Sequence, residues 1–313
     1  YCNRYFRGIT VTIIVTGAAG FIGANIVQAL NARGEKNIIA VDDLRPADKY
    51  RNLADLDIID YLDKDEFLAA FRSGRFGKVR AVFHEGACSD TMETDGIFMM
   101  ANNYRYTMDL LDICTAQKVQ LLYASSAATY GGSDVFVESR EHEKPLNIYG
   151  YSKFLFDQVM RKRFAENANT AQVVGFRYFN VYGENSKAGH FLADQIDKIR
   201  RGKFECFGAN ETRSFCHVED AIRASIYCAE TQTRELINIG NDREITIMDA
   251  AQIIASALGH DNPIWATTPG KPGSTANRRP DISKLRNIMP DYVPMSFESG
   301  VRKSIGWTGK LAT

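Results

Sequence analysis

The stretch Thr12-Ile13-Ile14-Val15-Thr16-Gly17-Ala18-Ala19-Gly20-Phe21-Ile22-Gly23 constrains the fold more than any other part of the chain. An apolar run of strand length enters glycines spaced at every third residue, and apolar residues at helical spacing follow as far as Ala32. Gly17 lets the chain turn tightly, Gly20 lets main chain come close to a ligand, and Gly23 lets the helix pack against the strand. A helix that begins after such a turn offers free N–H groups to an anion. The unit therefore reads as the opening strand, loop and helix of a doubly wound sheet, and as a seat for the pyrophosphate of a dinucleotide.

The same rhythm continues. Residues 11–15, 38–41, 81–83, 121–124 and 172–176 read as buried strands, and residues 23–32, 64–71, 103–117 and 152–168 carry apolar side chains at helical spacing. Alternation of this kind predicts an α/β fold, a parallel Rossmann sheet with helices on both faces. A length of 313 residues suits about two domains. The expected division is a dinucleotide-binding domain over 11–180 and a smaller substrate-binding lobe over 181–313, with some segments of the second half returning to the first. Residues 263–280, rich in Pro, Gly, Thr and Ser, read as a loop near the site.

Composition removes several function classes. Lys+Arg and Asp+Glu both number 38, so no overall basic field points to nucleic acid or an anionic membrane, and an anionic substrate needs local cations. The six cysteines are scattered without a Cys-x-x-Cys pair, so no metal is expected and they read as reduced thiols of a cytoplasmic protein. The apolar runs fall far short of the roughly 20 residues that cross a bilayer. The first ten residues, which open on Tyr1, carry no run suited to a signal peptide and read as an extension.

Two acids, Asp42 and Asp43, end the second strand about 20 residues after the glycines, where a carboxylate can bind the adenosine ribose. Arg45 and Lys49 follow and could instead reach a 2′-phosphate. Further on, Tyr149-Gly150-Tyr151-Ser152-Lys153 puts a phenol and an ammonium on one helical face at i and i+4. A nearby ammonium stabilises phenolate, so Tyr149 is expected to act as a base well below its ordinary pKa. Ser126, at the end of the fourth strand, would hydrogen-bond the reacting oxygen, with Thr129 nearby.

Glycine loop, serine strand end and Tyr-Lys helix, in this order, resemble the extended short-chain dehydrogenase/reductase family. Within it, residues 11–183 look like the ADP-glyceromanno-heptose 6-epimerases. The segments that carry this are Phe83-His84-Glu85-Gly86-Ala87-Cys88-Ser89, Ser125-Ser126-Ala127-Ala128-Thr129-Tyr130-Gly131, Tyr149-Gly150-Tyr151-Ser152-Lys153-Phe154 and Gly175-Phe176-Arg177-Tyr178-Phe179-Asn180-Val181-Tyr182-Gly183. The resemblance implies a homo-oligomeric enzyme with NADP as cofactor, NAD being the alternative, and a nucleotide sugar as substrate. Carried over residue by residue, it gives Phe21, Ile22, Asp42, Asp43, Lys49 and Lys64 as cofactor contacts in the first half of that domain. Glu85, Gly86, Ala87, Cys88, Ser89, Asn102, Tyr149, Lys153 and Val181 complete the set. Asn180 would hold the sugar diphosphate, and Lys187 would be a second acid/base.

The second half departs from the heptose epimerases. Where they carry a Gly-Ser-Met-Ala-Ser-Val-like run, this chain has Ala188-Gly189-His190-Phe191-Leu192-Ala193, and from Thr212 to Lys284 it looks more like general nucleotide-sugar epimerases, dehydratases and decarboxylases. Arg213 and one of Arg278 or Arg279, with Arg279 preferred, are expected to grip the diphosphate, since guanidinium forks fit phosphate oxygens. Dehydratases and decarboxylases of the family place acids just after the catalytic Ser or Thr; here those positions are Ala127 and Ala128. The expectation is therefore epimerisation by transient oxidation, at C6 of an ADP-heptose or at C4 of a nucleotide hexose. A non-catalytic NADP-binding sensor is the alternative from another class.

Overall fold

Among the described residues, the seven strands of the main sheet alternate with helices. In the computed structural model, which describes residues 11–45, 47–166, 171–186, 189–269 and 278–308, the strands of the main sheet are β1 (Thr12–Thr16), β2 (Ile38–Asp42), β3 (Asp60–Asp63), β4 (Val79–His84), β5 (Gln120–Ser126), β6 (Val173–Tyr178) and β7 (Leu236–Ile239). Their order is 7-6-5-4-1-2-3 and every pairing is parallel. The order reverses between β1 and β4. That switch point opens a crevice at the C-terminal ends of the strands, where folds of this kind bind ligands.

The sheet is buried on both faces, which is why its strands read as continuous apolar runs. Ile13 and Val15 pack into one core with Val27, Phe83, Leu122, Val174 and Ile222. The intervening Ile14 points the other way, into a second core with Val82, Leu111, Leu121, Phe156 and Met160. Helices α1 (Phe21–Ala32), α2 (Lys64–Arg72), α3 (Tyr106–Gln117) and α4 (Ile148–Ala165) match the expected helical segments, with α4 starting four residues earlier than read. Its true start is fixed by Asn147, whose side chain accepts from the Gly150 N–H at 2.8 Å.

Later helices are α5 (Phe191–Arg200), α6 (Val218–Glu230), α7 (Ile247–Ala257), α8 (Ser283–Ile288) and α9 (Phe297–Thr308). Ile222 and Ile226 of α6 share the first core with Ile26, Val27 and Leu30 of α1, and β7 extends the sheet beyond β6. A third core joins Leu192 and Ile196 of α5 to Phe215, Ile254 of α7 and Val301 of α9. Among the described residues no helix is long and apolar enough to cross a membrane.

Candidate active site

The glycine loop closes as its spacing requires. Gly17 has φ +66°, and a Cβ there would lie 2.6 Å from the Gly86 nitrogen, so only glycine lets β1 and the end of β4 approach this closely. A Cβ on Gly23 would sit 2.1 Å from the Gly17 carbonyl oxygen, and one on Gly20 would meet that same oxygen at 3.0 Å. No side chain caps the α1 N-terminus, so its first N–H groups remain available to an anion. Phe21 is buried and meets the His190 ring edge-on at 5.3 Å, while Ile22 packs half-buried on the first core.

A cleft of about 240 Å³ lies over the C-terminal ends of β1, β2 and β4. Gly17, Asp42, Asp43, Lys49, Lys64, Gly86, Ala87, Cys88 and Asn102 line it, together with Arg45, Phe98 and Tyr106; Ser89 is exposed beyond it. The two acids differ in what they do. Asp42 accepts from the Ala19 N–H at 2.8 Å and from the Asp43 N–H at 2.7 Å, and also binds the Lys49 ammonium, so it ties the glycine loop to β2. Asp43 is gripped by both prongs of Arg45, at 2.9 and 2.8 Å, and that hydrogen bonding holds its pKa down at about 2 despite partial burial. A bare glycine cradle, an uncapped helix end and a cleft with both acids and cations at its β2 end fit a dinucleotide.

Asn102 belongs to a single wider π-type turn, Met100–Arg105, that precedes α3, a form of helix that recurs at functional sites. The next residue, Asn103, was not foreseen. It is buried and pairs with both backbone groups of Cys88, accepting from the N–H and donating to the carbonyl at 2.9 Å each, which pins the strand end against α3. His84 is a core histidine: its ring nitrogens meet Thr16 at 2.6 Å and Thr107 at 2.9 Å. Burial and the Lys153 charge hold its pKa down at about 3.

Tyr149, Lys153 and Ser126 come together at the crevice. A Cβ on Gly150 would stand 2.6 Å from the Ala128 carbonyl oxygen, so this glycine brings α4 against the turn that follows β5. Ser126 Oγ accepts from the Ala128 N–H at 3.1 Å, which leaves its O–H free to donate, and its interaction with the Tyr149 phenol favours the phenolate. The Lys153 ammonium is buried and donates to the Ala124 carbonyl at 2.7 Å. Thr129 contributes nothing to the site, since it is fully buried and its hydroxyl donates to the Ser126 carbonyl at 2.9 Å.

The electrostatics correct one expectation. The Tyr149 phenol is held above its ordinary pKa, because burial, with smaller pushes from Cys88 and Glu85, outweighs the Ser126 hydrogen bond. Lys153 does not reverse this: burial pulls its own pKa down to about 8, against the opposing pull of Glu85 and Asp157.

In the second half, Asn180 has φ +39° and donates from its amide to the Ser214 carbonyl at 3.0 Å, and half-buried Val181 pairs with Cys216. Arg213 bonds Glu211 at 2.6 Å with only 14% of its side chain exposed. Beside it stands Arg278, not the expected Arg279. Burial and then the Arg213 charge lower the Arg278 pKa, whereas Arg279 is exposed and lines a separate groove with Asp134, Asp242 and Asp281. The Glu211 carboxylate that binds Arg213 also acts on Arg278, against the repulsion between the two guanidiniums. Lys187 lies outside the described residues.

Residues 13–240 match the sequence model of the NAD dependent epimerase/dehydratase family. The chain belongs to this family. Solved structures similar to it include the UDP-N-acetylglucosamine 4-epimerase of Methanobrevibacter ruminantium in complex with UDP-N-acetylmuramic acid (25% identity, 96% of this chain and 99% of that one, TM-score 0.84). The UDP-glucuronic acid 4-epimerase of Bacillus cereus, with UDP-glucuronic acid and NAD, matches at 25% identity over 96% and 100% of the two chains, with a TM-score of 0.82. The ADP-L-glycero-D-manno-heptose-6-epimerase of Helicobacter pylori matches at 25% identity over 95% and 96%, with a TM-score of 0.81. As a member of the epimerase/dehydratase family the chain is an enzyme of dinucleotide-dependent chemistry, and its Rossmann architecture is the family's own.

Proposed function

We propose that this enzyme inverts one stereocentre of a nucleotide sugar by transient oxidation, with NADP as tightly held cofactor and ADP-D-glycero-D-manno-heptose as substrate, inverted at C6. The observation that carries the reading is the meeting of Tyr149, Lys153 and Ser126 at the C-terminal end of β5, with Cys88 of the cleft lining acting on the phenol. The bound cofactor would supply the redox chemistry, taking hydride from a sugar carbon and returning it to the other face of the ketone.

Tyr149 removes the hydroxyl proton as the carbon is oxidised and returns it on reduction. Ser126 donates to the reacting oxygen and holds it at the phenol. Lys153 keeps positive charge beside the phenolate. Arg213 and Arg278 clasp the diphosphate, with Asn180 alongside, while Lys187 is the second acid/base that the resemblance assigns. Arg45, Lys49 and Lys64 around the β2 end of the cleft favour the 2′-phosphate of NADP. Ala127 and Ala128 carry no acid or base, so elimination lacks its groups and the reaction stops at inversion.

The heptose assignment rests on the motifs of residues 11–183. A second reading, 4-epimerisation of a nucleotide hexose, is favoured by the motifs after Thr212 and by the similarity to UDP-sugar 4-epimerases at the same 25% identity. The test is incubation with ADP-heptose and a panel of UDP-, GDP- and dTDP-hexoses, read by NMR. Conversion of ADP-heptose to its C6 epimer is expected. Conversion of a hexose instead supports the second reading, and cofactor binding without turnover of any sugar supports the sensor.

A further inference from the structure

Asn238 lies outside the site and ties together two segments that lead from it. It stands in β7, the edge strand of the main sheet, is fully buried, and uses both ends of its side-chain amide. The amide oxygen accepts from the Tyr130 hydroxyl at 2.7 Å, and the amide nitrogen donates to the Phe136 carbonyl at 2.9 Å and to the Asp281 carbonyl at 3.0 Å. Its main-chain N–H donates to the Glu138 carboxylate at 2.8 Å. Tyr130, Phe136 and Glu138 belong to the segment that follows the Ser126 turn, and Asp281 follows Arg278 closely in the chain. Two donors converging on two carbonyls, with an acceptor facing a hydroxyl, are what a carboxamide supplies.

The main chain at Arg278 is held on both sides. Its carbonyl accepts from the Ser214 N–H at 3.2 Å. Further on, Asp281 donates its N–H to the Phe136 carbonyl at 3.0 Å and accepts from the Asn238 amide. Between these points Pro280 rests on the end of β7, where a Cβ on Gly240 would stand 2.7 Å from its ring. Ser214 directly follows Arg213, and its carbonyl accepts from the Asn180 amide at 3.0 Å. The three groups assigned to the diphosphate therefore share one anchor. A guanidinium recognises phosphate through a rigid fork, so its affinity depends on where its main chain stands.

We propose that Asn238 is a positioning residue for the diphosphate: it sets the place of the Arg278 guanidinium by holding Asp281 to the segment that follows Ser126. The inference rests on the assignment of Arg278 to the diphosphate. The amide holds the Arg278 segment and the segment beyond the Ser126 turn as one frame. It does not reach the cofactor cleft, whose lining is drawn from residues between Thr16 and Tyr106.

The test is calorimetric titration of the full chain, saturated with NADP, with ADP and with UDP. Asn238→Asp keeps the size of the side chain and an acceptor for Tyr130 but loses both amide N–H donors. It should weaken both nucleotides by about 10-fold, the scale of a hydrogen bond to a charged group, with NADP affinity held within about 2-fold. Arg278→Gln should weaken them at least as much. Because Asn238 acts through that guanidinium, adding Asn238→Asp to Arg278→Gln should cost no more than about 2-fold further. Tyr130→Phe removes only the hydroxyl that orients the amide, so it should repeat the pattern with a smaller loss, of about 2-fold, even if Asn238→Asp does not fold. Unchanged nucleotide binding in these variants, losses that add fully to that of Arg278→Gln, or an equal loss of NADP affinity overturns the proposal. If Arg278→Gln itself binds both nucleotides as tightly as the unsubstituted chain, the diphosphate role of Arg278 falls first and this inference with it. None of these readings needs turnover, so failure to convert any nucleotide sugar counts against the proposed function alone.

Discussion

Tyr149→Phe is expected to lower kcat/KM for nucleotide-sugar inversion by about 10²- to 10⁴-fold, the usual contribution of a positioned general acid/base. The substitution removes one hydroxyl and leaves the ring. Asn147 still caps α4 and Gly150 still seats it on the Ala128 carbonyl, so the helix keeps its place and cofactor affinity should stay within a few-fold of the unsubstituted protein. Steady-state kinetics with a cofactor titration separate a lost chemical step from a displaced helix. A loss in kcat with intact cofactor binding places the phenol in the chemical step. A variant that inverts its substrate at the original rate would remove Tyr149 from the mechanism.

Arg177→Met is expected to destabilise the fold by about 3–5 kcal/mol, the cost of breaking a buried ion pair from one side. Arg177 is fully buried in β6 and donates to Asp157 at 2.9 and 2.8 Å and to Glu143 at 2.5 Å. Its guanidinium also lies 4.9 Å from the centre of the Tyr130 ring. Asp157 accepts further from Tyr123 and Ser125 of β5, each at 2.8 Å. Glu143 keeps Arg161 at 2.6 Å when Arg177 is gone, so Asp157 is the group left without a cation. Tyr149, Lys153 and Asp157 follow one another at i, i+4 and i+8 along α4, so this pair also fixes the rotation that points the first two at Ser126. Urea unfolding of the variant measures the cost, and a change within about 0.5 kcal/mol, typical of a surface site, would contradict it.

The parts of the fold that were legible in the sequence are those buried on two faces. β1, β2, β4, β5 and β6 stood out because both sides of each strand must be apolar. β3 did not: Asp-Tyr-Leu-Asp is an edge strand with one buried residue, Leu62, and has no pattern that separates it from a loop. β7 is fully buried but arrives after a long stretch of isolated helices, so nothing local assigns it to the sheet. The Tyr149 and Lys153 spacing carried the catalytic face because a helix enforces it. Arg278 and Arg279 could not be separated in the sequence; neighbouring residues of an extended segment point to opposite sides, and only the fold says which side faces Arg213.

Two further features left traces that the sequence offered without decoding. Arg177 interrupts an apolar strand and Asp157 sits on the apolar side of α4, and a charge in either place demands a partner. The depressed phenol pKa expected from the Tyr-Lys spacing failed because spacing reports proximity and says nothing of desolvation, which dominates at Tyr149.

The most direct measurement of transient oxidation is inversion in deuterated water. The protein is incubated with ADP-heptose and with the hexose panel, and the product is examined by NMR and mass spectrometry. The expected product is inverted at a single carbon, which keeps its original hydrogen, with no net reduced cofactor released. Solvent deuterium at the inverted carbon would contradict hydride return and point to proton exchange at carbon instead.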